Sequence, residues 1–142
     1  MAVLLLLGSI TSLAQTTPRK VAAYRDTTGR TAMIQYGIAS YYSDKFVGKT
    51  TANGEKYSKD KFTAAHNALA LGTWIRVTNL SNKKTVLVRV NDRLHHRNSR
   101  LVDLSLAAAK QLGYIGKGIT RVKVEVLGKK KPIEKEESMV NK

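Results

Sequence analysis

Three stretches of the chain alternate apolar and polar residues with a period of two. In WIRVTN (74–79) Ile75 and Val77 fall on one face of an extended chain. In TVLVRV (85–90) Val86, Val88 and Val90 share a face, and in RVKVEVL (121–127) Val122, Val124 and Val126 do so with Arg121, Lys123 and Glu125 opposite. That period predicts half-buried β-strands. The polar loop Ser81-Asn82-Lys83-Lys84 between the first two makes them a hairpin. YGIASYY (36–42) and the short run Phe62–Ala65 read as further strands. One segment follows the helical rules instead: Ser105 can cap, LAAAKQL (106–112) is built of helix formers, and Gly113 supplies the left-handed stop. Short strands with one or two short helices predict a mainly-β fold, a small barrel or sandwich. Full closure would remove the strand edges that otherwise invite aggregation.

Outside this block the pattern fails. Residues 1–14 hold a short apolar run, AVLLLLGSI, followed by Ser12-Leu13-Ala14. Small residues three and one before a cut, after a run too short to span a bilayer, predict a signal peptide, although no Lys or Arg precedes the run. Residues 15–33 are polar, carry Pro18 and read as a linker; residues 129–142 are charged, broken by Pro132, and read as a disordered tail. The folded domain is then 34–128. With no cysteine after the apolar run, the expectation is export without a lipid anchor.

Composition narrows the function. The chain carries a net charge of +15 and no cysteine, which excludes disulfides and thiolate zinc sites. Sixteen Lys or Arg stand against six Asp or Glu between Ile34 and Gly128, so the basic field belongs to the domain itself and attracts polyanions. Nucleic acid, anionic lipid and carboxylate-bearing wall polymers all qualify by charge; export favours the last. His95-His96 on an extended segment would point apart and lacks companion ligands, so no metal and no cofactor is expected.

Four polar residues stand at strand ends. Glu55 follows Asn53-Gly54, a dipeptide suited to a type I′ turn, His66 follows Phe62–Ala65, Asp92 ends the run 88–92, and Asp103 sits between apolar residues just before the helix. Each has an ordinary reading: a solvated turn, a buried structural histidine, an Asx turn, and a carboxylate on helix N–H groups. Together they could form an acid/base cluster able to cut a glycosidic bond.

The segments Gly37–Tyr42, Thr51–Glu55, Thr63–His66, Arg76–Leu80, Val88–Arg93 and Asp103–Ala109, in this order, resemble the rare lipoprotein A family over about residues 36–127. The resemblance implies a six-stranded double-psi β-barrel and a lytic transglycosylase that cleaves the MurNAc–GlcNAc β-1,4 bond of peptidoglycan, leaving 1,6-anhydroMurNAc. It implies Glu55, His66 and Asp92 as catalytic residues; Asp103 matches an aspartate that related barrels place in the same groove. Glu55 or Asp103 is the acid/base, with Asp92 and His66 as orienting or charge-stabilising groups. Tyr41, Tyr42, Asn53 and Arg93 are the substrate-binding candidates, with Trp74 as a further ring for sugar stacking. Where the family continues with Gly-Pro after Asp92-Arg93, this chain reads Leu94-His95-His96, and septal targeting through a sporulation-related repeat is not expected. The expected setting is the periplasm or cell envelope, as a soluble monomer acting on glycan strands, alone or with other envelope proteins, with no nucleic acid and no transmembrane anchor. The alternative is an expansin-like module that binds the wall without cutting it.

Overall fold

The valine-rich strands close into a ring. The computed structural model describes residues 21–25 and 31–133; the expected signal peptide and most of the expected tail lie outside them. The strands are β1 (Val21–Arg25), β2 (Thr31–Tyr41), β3 (Thr63–Ala65), β4 (Trp74–Asn79), β5 (Thr85–Asp92), β6 (Val102–Leu104) and β7 (Thr120–Gly128), with helix α1 (Leu106–Leu112) between the last two. A single 3-10 turn spans Asp44–Phe46. Around the barrel the order is β2, β6, β3, β5, β4, β7, and β2–β7 pairing closes it. β2 runs parallel to β6 and β3 parallel to β5; the other pairs in the ring are antiparallel. This is the six-stranded double-psi barrel expected.

The core is filled by the faces that the alternation marked. Ile75, Val77, Val88, Val90, Val122 and Val124 are all fully buried, with Leu104 and Leu112 beside them. Gly37 is required by a close approach: a Cβ there would stand 2.7 Å from the Leu101 Cβ. The helix forms as read, with the Ser105 hydroxyl accepting from Ala108 N–H and Gly113 at φ 76°. Asn79 and Asn82 both donate to the last-turn carbonyl of Leu112, so the β4–β5 hairpin caps the C-terminus of α1.

The structure departs from the sequence reading in several places. Val21–Arg25, within the stretch read as a linker, forms β1, antiparallel to β2 and outside the ring. β6 is a strand because all three of its residues pair with β2 and two of them also with β3, not because of any period. The Asn53-Gly54 pair does not form a type I′ turn, which needs positive φ at both residues. Gly54 has φ 90°, and Lys83 is the one described non-glycine residue with positive φ. Instead Gly54 N–H closes on Thr51 O. The Asn53 side chain takes over, its Oδ1 accepting from the Thr51 hydroxyl at 2.7 Å and from Glu55 N–H at 3.1 Å. His95 and His96 do not point apart either; the chain turns at His96-Arg97, and the rings meet with centroids 4.2 Å apart.

Candidate active site

Strand register carries two of the four polar candidates onto one outer row. Ser40 pairs with Asp103, Asp103 with Ala65, and Ala65 with Asp92. Directly opposed residues face the same side of a sheet, so the row crosses β2, β6, β3 and β5. Continued alternation after Val86, Val88 and Val90 would turn Asp92 into the barrel. A bulge prevents this: Ala64 pairs with Val90 but Ala65 with Asp92, and the extra residue, Asn91, shifts the parity. Bulges re-aim side chains in this way. The two aspartates stand two strands apart, about 10 Å between backbones at ordinary strand spacing.

Asp103 is half-buried and accepts a hydrogen bond from the Ser40 hydroxyl. Burial pushes its carboxyl above the ordinary aspartate value, and the charge of Asp92 adds to the rise; the Ser40 bond and Arg100 pull the other way. The helix N–H groups have their own acceptor in Ser105, so Asp103 is not spent on capping. Asp92 accepts from Ala52 N–H at 2.9 Å, from Arg93 N–H at 2.8 Å, and from the Tyr42 hydroxyl at 2.6 Å. Tyr42 in turn lies stacked on Tyr57 and edge-on to Phe46. Burial, then the bond to Asp92, keeps its phenol protonated far above the ordinary range. The Tyr114 hydroxyl donates to Ser40 O, and its ring meets Tyr41, whose own hydroxyl donates to Ile115 O.

Glu55 belongs to a second cluster. Its carboxylate forms a two-pronged ion pair with Arg89, at 2.8 and 2.9 Å, and accepts from Asn53 Nδ2 at 2.5 Å. Arg89 above all, with Asn53, holds its pKa down to about 2. Such a group is a carboxylate at any physiological pH and has no proton to give. The loop that carries it is tied to β5 at two adjacent residues, by Asn53 N–H to Asn91 O and by Ala52 N–H to Asp92.

His66 is fully buried. Its Nδ1 accepts from Ala68 and Leu69 N–H, which leaves Nε2 to donate to Gln35 Oε1 at 2.8 Å. Arg93 donates from one nitrogen to His66 O and Leu69 O. Histidine and arginine thus brace the turn after β3 through these groups. Trp74 lies away from the aspartate row, beside an open groove lined by Phe62, Leu87, Gln111 and Lys131, with the Lys131 ammonium 5.7 Å from its ring centroid. Sequence reasoning missed Ser40, Arg89 and Tyr114. Ser40 and Arg89 look like ordinary outward residues of strands, and only register reveals what they face.

Comparison with known proteins agrees with this geometry. A family model described as lytic transglycolase matches residues 34–124. The chain is 56% identical over 89 residues to the endolytic peptidoglycan transglycosylase RlpA of Pseudomonas aeruginosa, covering 63% of this chain and 26% of that one. It is 49% identical over 94 residues to the protein of the same name from Haemophilus influenzae, covering 66% and 33%. Among solved structures it resembles an expansin from Clavibacter michiganensis, with TM-score 0.56 and 28% identity over 71% of this chain and 52% of that one. The chain thus spans about a quarter to a third of the length of these two transglycosylases. Barrel, register and matched segments agree: the chain belongs to the lytic transglycolase family, as an RlpA-like double-psi β-barrel domain.

Proposed function

We propose that this domain is an endolytic peptidoglycan lytic transglycosylase, and that Asp103 is its acid/base. The observation that carries the assignment is a half-buried carboxyl held above its ordinary pKa on one row with a second carboxylate. Protonated Asp103 gives its proton to the oxygen of the MurNAc–GlcNAc β-1,4 bond as that bond breaks. The resulting carboxylate takes the proton of the MurNAc 6-hydroxyl as this oxygen closes on C1, forming the 1,6-anhydro ring. One carboxyl group serves both steps and no water is consumed. Asp92, oriented by Tyr42 and by Ala52 N–H, supplies negative charge opposite the oxocarbenium-like centre. Glu55 and Arg89 fix the loop that delivers Ala52 N–H, while His66 and Arg93 support the backbone beside Asp92, since His66 N–H bonds Asp92 O. The roles of Glu55 and His66 are therefore positional.

The setting is the cell envelope after export. Among the described residues no helix is long and apolar enough to cross a membrane. The likeness to an expansin favours one other reading, a barrel that binds wall glycan without cutting it. Digestion of purified peptidoglycan followed by mass spectrometry separates the two. Lytic activity yields 1,6-anhydromuropeptides with the native chain and none with Asp103→Asn, whereas Glu55→Gln retains part of the activity. Binding without anhydro products sinks the enzyme reading; full activity in Asp103→Asn sinks the assignment of the acid.

A further inference from the structure

The two aspartates of the row are joined by one short loop. It leaves β5 after Asp92 and enters β6 before Asp103, so both its ends are at the site. Residues 93–101 carry Arg93, Arg97 and Arg100, with His95 and His96, and no acidic residue. The loop has a defined shape. Leu94 is buried beneath it, Asn98 N–H closes on His95 O, Arg97 N–H bonds the His95 ring at Nδ1, and Arg100 N–H bonds the Asn98 side chain.

Its three arginines have different commitments. Arg93 is spent on the carbonyls of His66 and Leu69. Arg100 lies close enough to lower the pKa of both Asp103 and Tyr114. Arg97, exposed and next in sequence to the two histidines, has a guanidinium with no hydrogen-bond or ion-pair partner among the described residues. An exposed guanidinium held on a shaped loop next to two carboxylates is a poor stabiliser of the fold. It is, however, well suited to a planar anion, which it can grip with two parallel N–H bonds.

We infer that the β5–β6 loop, through Arg97 with Arg100, is a subsite for a carboxylate carried by the substrate next to the bond that Asp103 serves. The inference rests on the glycan reading above. On such a glycan the carboxylate has two sources, the lactyl ether of a stripped MurNAc and the acidic residues of a stem peptide. The loop would hold either against the repulsion of Asp92, and so make the site selective for charged over neutral N-acetylhexosamine chains.

Binding of the full chain to insoluble glycan, read by cosedimentation, tests this without relying on cleavage. Three probes are needed: intact peptidoglycan, amidase-stripped glycan, and stripped glycan whose carboxylates have been converted to methylamides. Stripped glycan is expected to bind about tenfold tighter than its methylamide form, the scale of one charge-assisted contact. Arg97→Gln with Arg100→Gln should erase that difference. Lys83→Gln with Lys84→Gln, which removes the same charge at the opposite end of β5, should preserve it. Tighter binding of intact than of stripped glycan assigns the stem peptide as the source, and the reverse assigns the lactyl group. Equal binding of all three probes overturns the inference, as does an equal loss in both double variants. Anhydro products, assayed in parallel, report on the enzyme reading separately, because selective binding without products would leave the subsite standing.

Discussion

Two candidate carboxylates, one on a loop and one on β6, have opposite electrostatics, and stability should record it. Glu55 has its pKa lowered, to about 2, by Arg89. Its contribution is present above the ordinary glutamate value and is lost as pH falls through 2. Glu55→Gln should therefore destabilise the barrel by about 1 kcal/mol at neutral pH, the scale of a well-aligned but solvent-screened pair, and the difference should vanish near pH 2. Asp103 has its pKa raised by burial, so its ionisation costs stability as pH rises through the folded value. Asp103→Asn keeps an acceptor for Ser40 and should leave the protein as stable or more so at neutral pH, with the gain lost below about pH 4, the ordinary aspartate range. Urea unfolding of both variants across this range checks the pair of signs; parallel curves would overturn the electrostatic contrast. At this scale the sequence named candidate residues but could not rank them. Glu55 and Asp103 look equally catalytic in a string of letters, and Arg89, which lowers the pKa of Glu55, lies 34 residues away in β5.

At the scale of elements, the chain was most readable where side-chain chemistry acts locally. Valine alternation marked β4, β5 and β7, and the Ser105 and Gly113 signals bounded α1 to the residue. Ser105→Ala should cost about 1 kcal/mol, as loss of an N-cap does, read as a lowered urea midpoint with unchanged slope. β6 was hidden because three residues are too few for a period, and β1 because its stability comes from β2 rather than from its own sequence. The bulge at Asn91 was hidden too, since alternation alone predicts Asp92 inside the barrel. Packing between elements is specified as tightly. Gly37→Ala drives a methyl into Leu101 and should cost about 1–3 kcal/mol, the usual range for overpacking. Combining it with Leu101→Ala should cost less than the sum of the two single changes, and strict additivity would argue against the contact.

For the whole molecule, the field of the domain matters more than any one ion pair. A basic barrel on a carboxylate-bearing polymer should bind less tightly as salt rises, whereas a surface held by sugar stacking alone should be nearly indifferent. Cosedimentation with peptidoglycan between low and 0.5 M salt, at roughly 10 and 4 Å screening lengths, distinguishes these outcomes. The family and barrel were legible because six short segments occur in order along the chain. The pairing that completes the ring has a temporal meaning as well. Ile34 meets Glu125 and Ala39 meets Thr120, so the first strand of the barrel waits for the last. A ribosome delivers β2 long before β7, and until β7 emerges the nascent chain cannot close its sheet. Such a chain stays threadable until β7 has emerged and becomes compact only when that strand is free to fold.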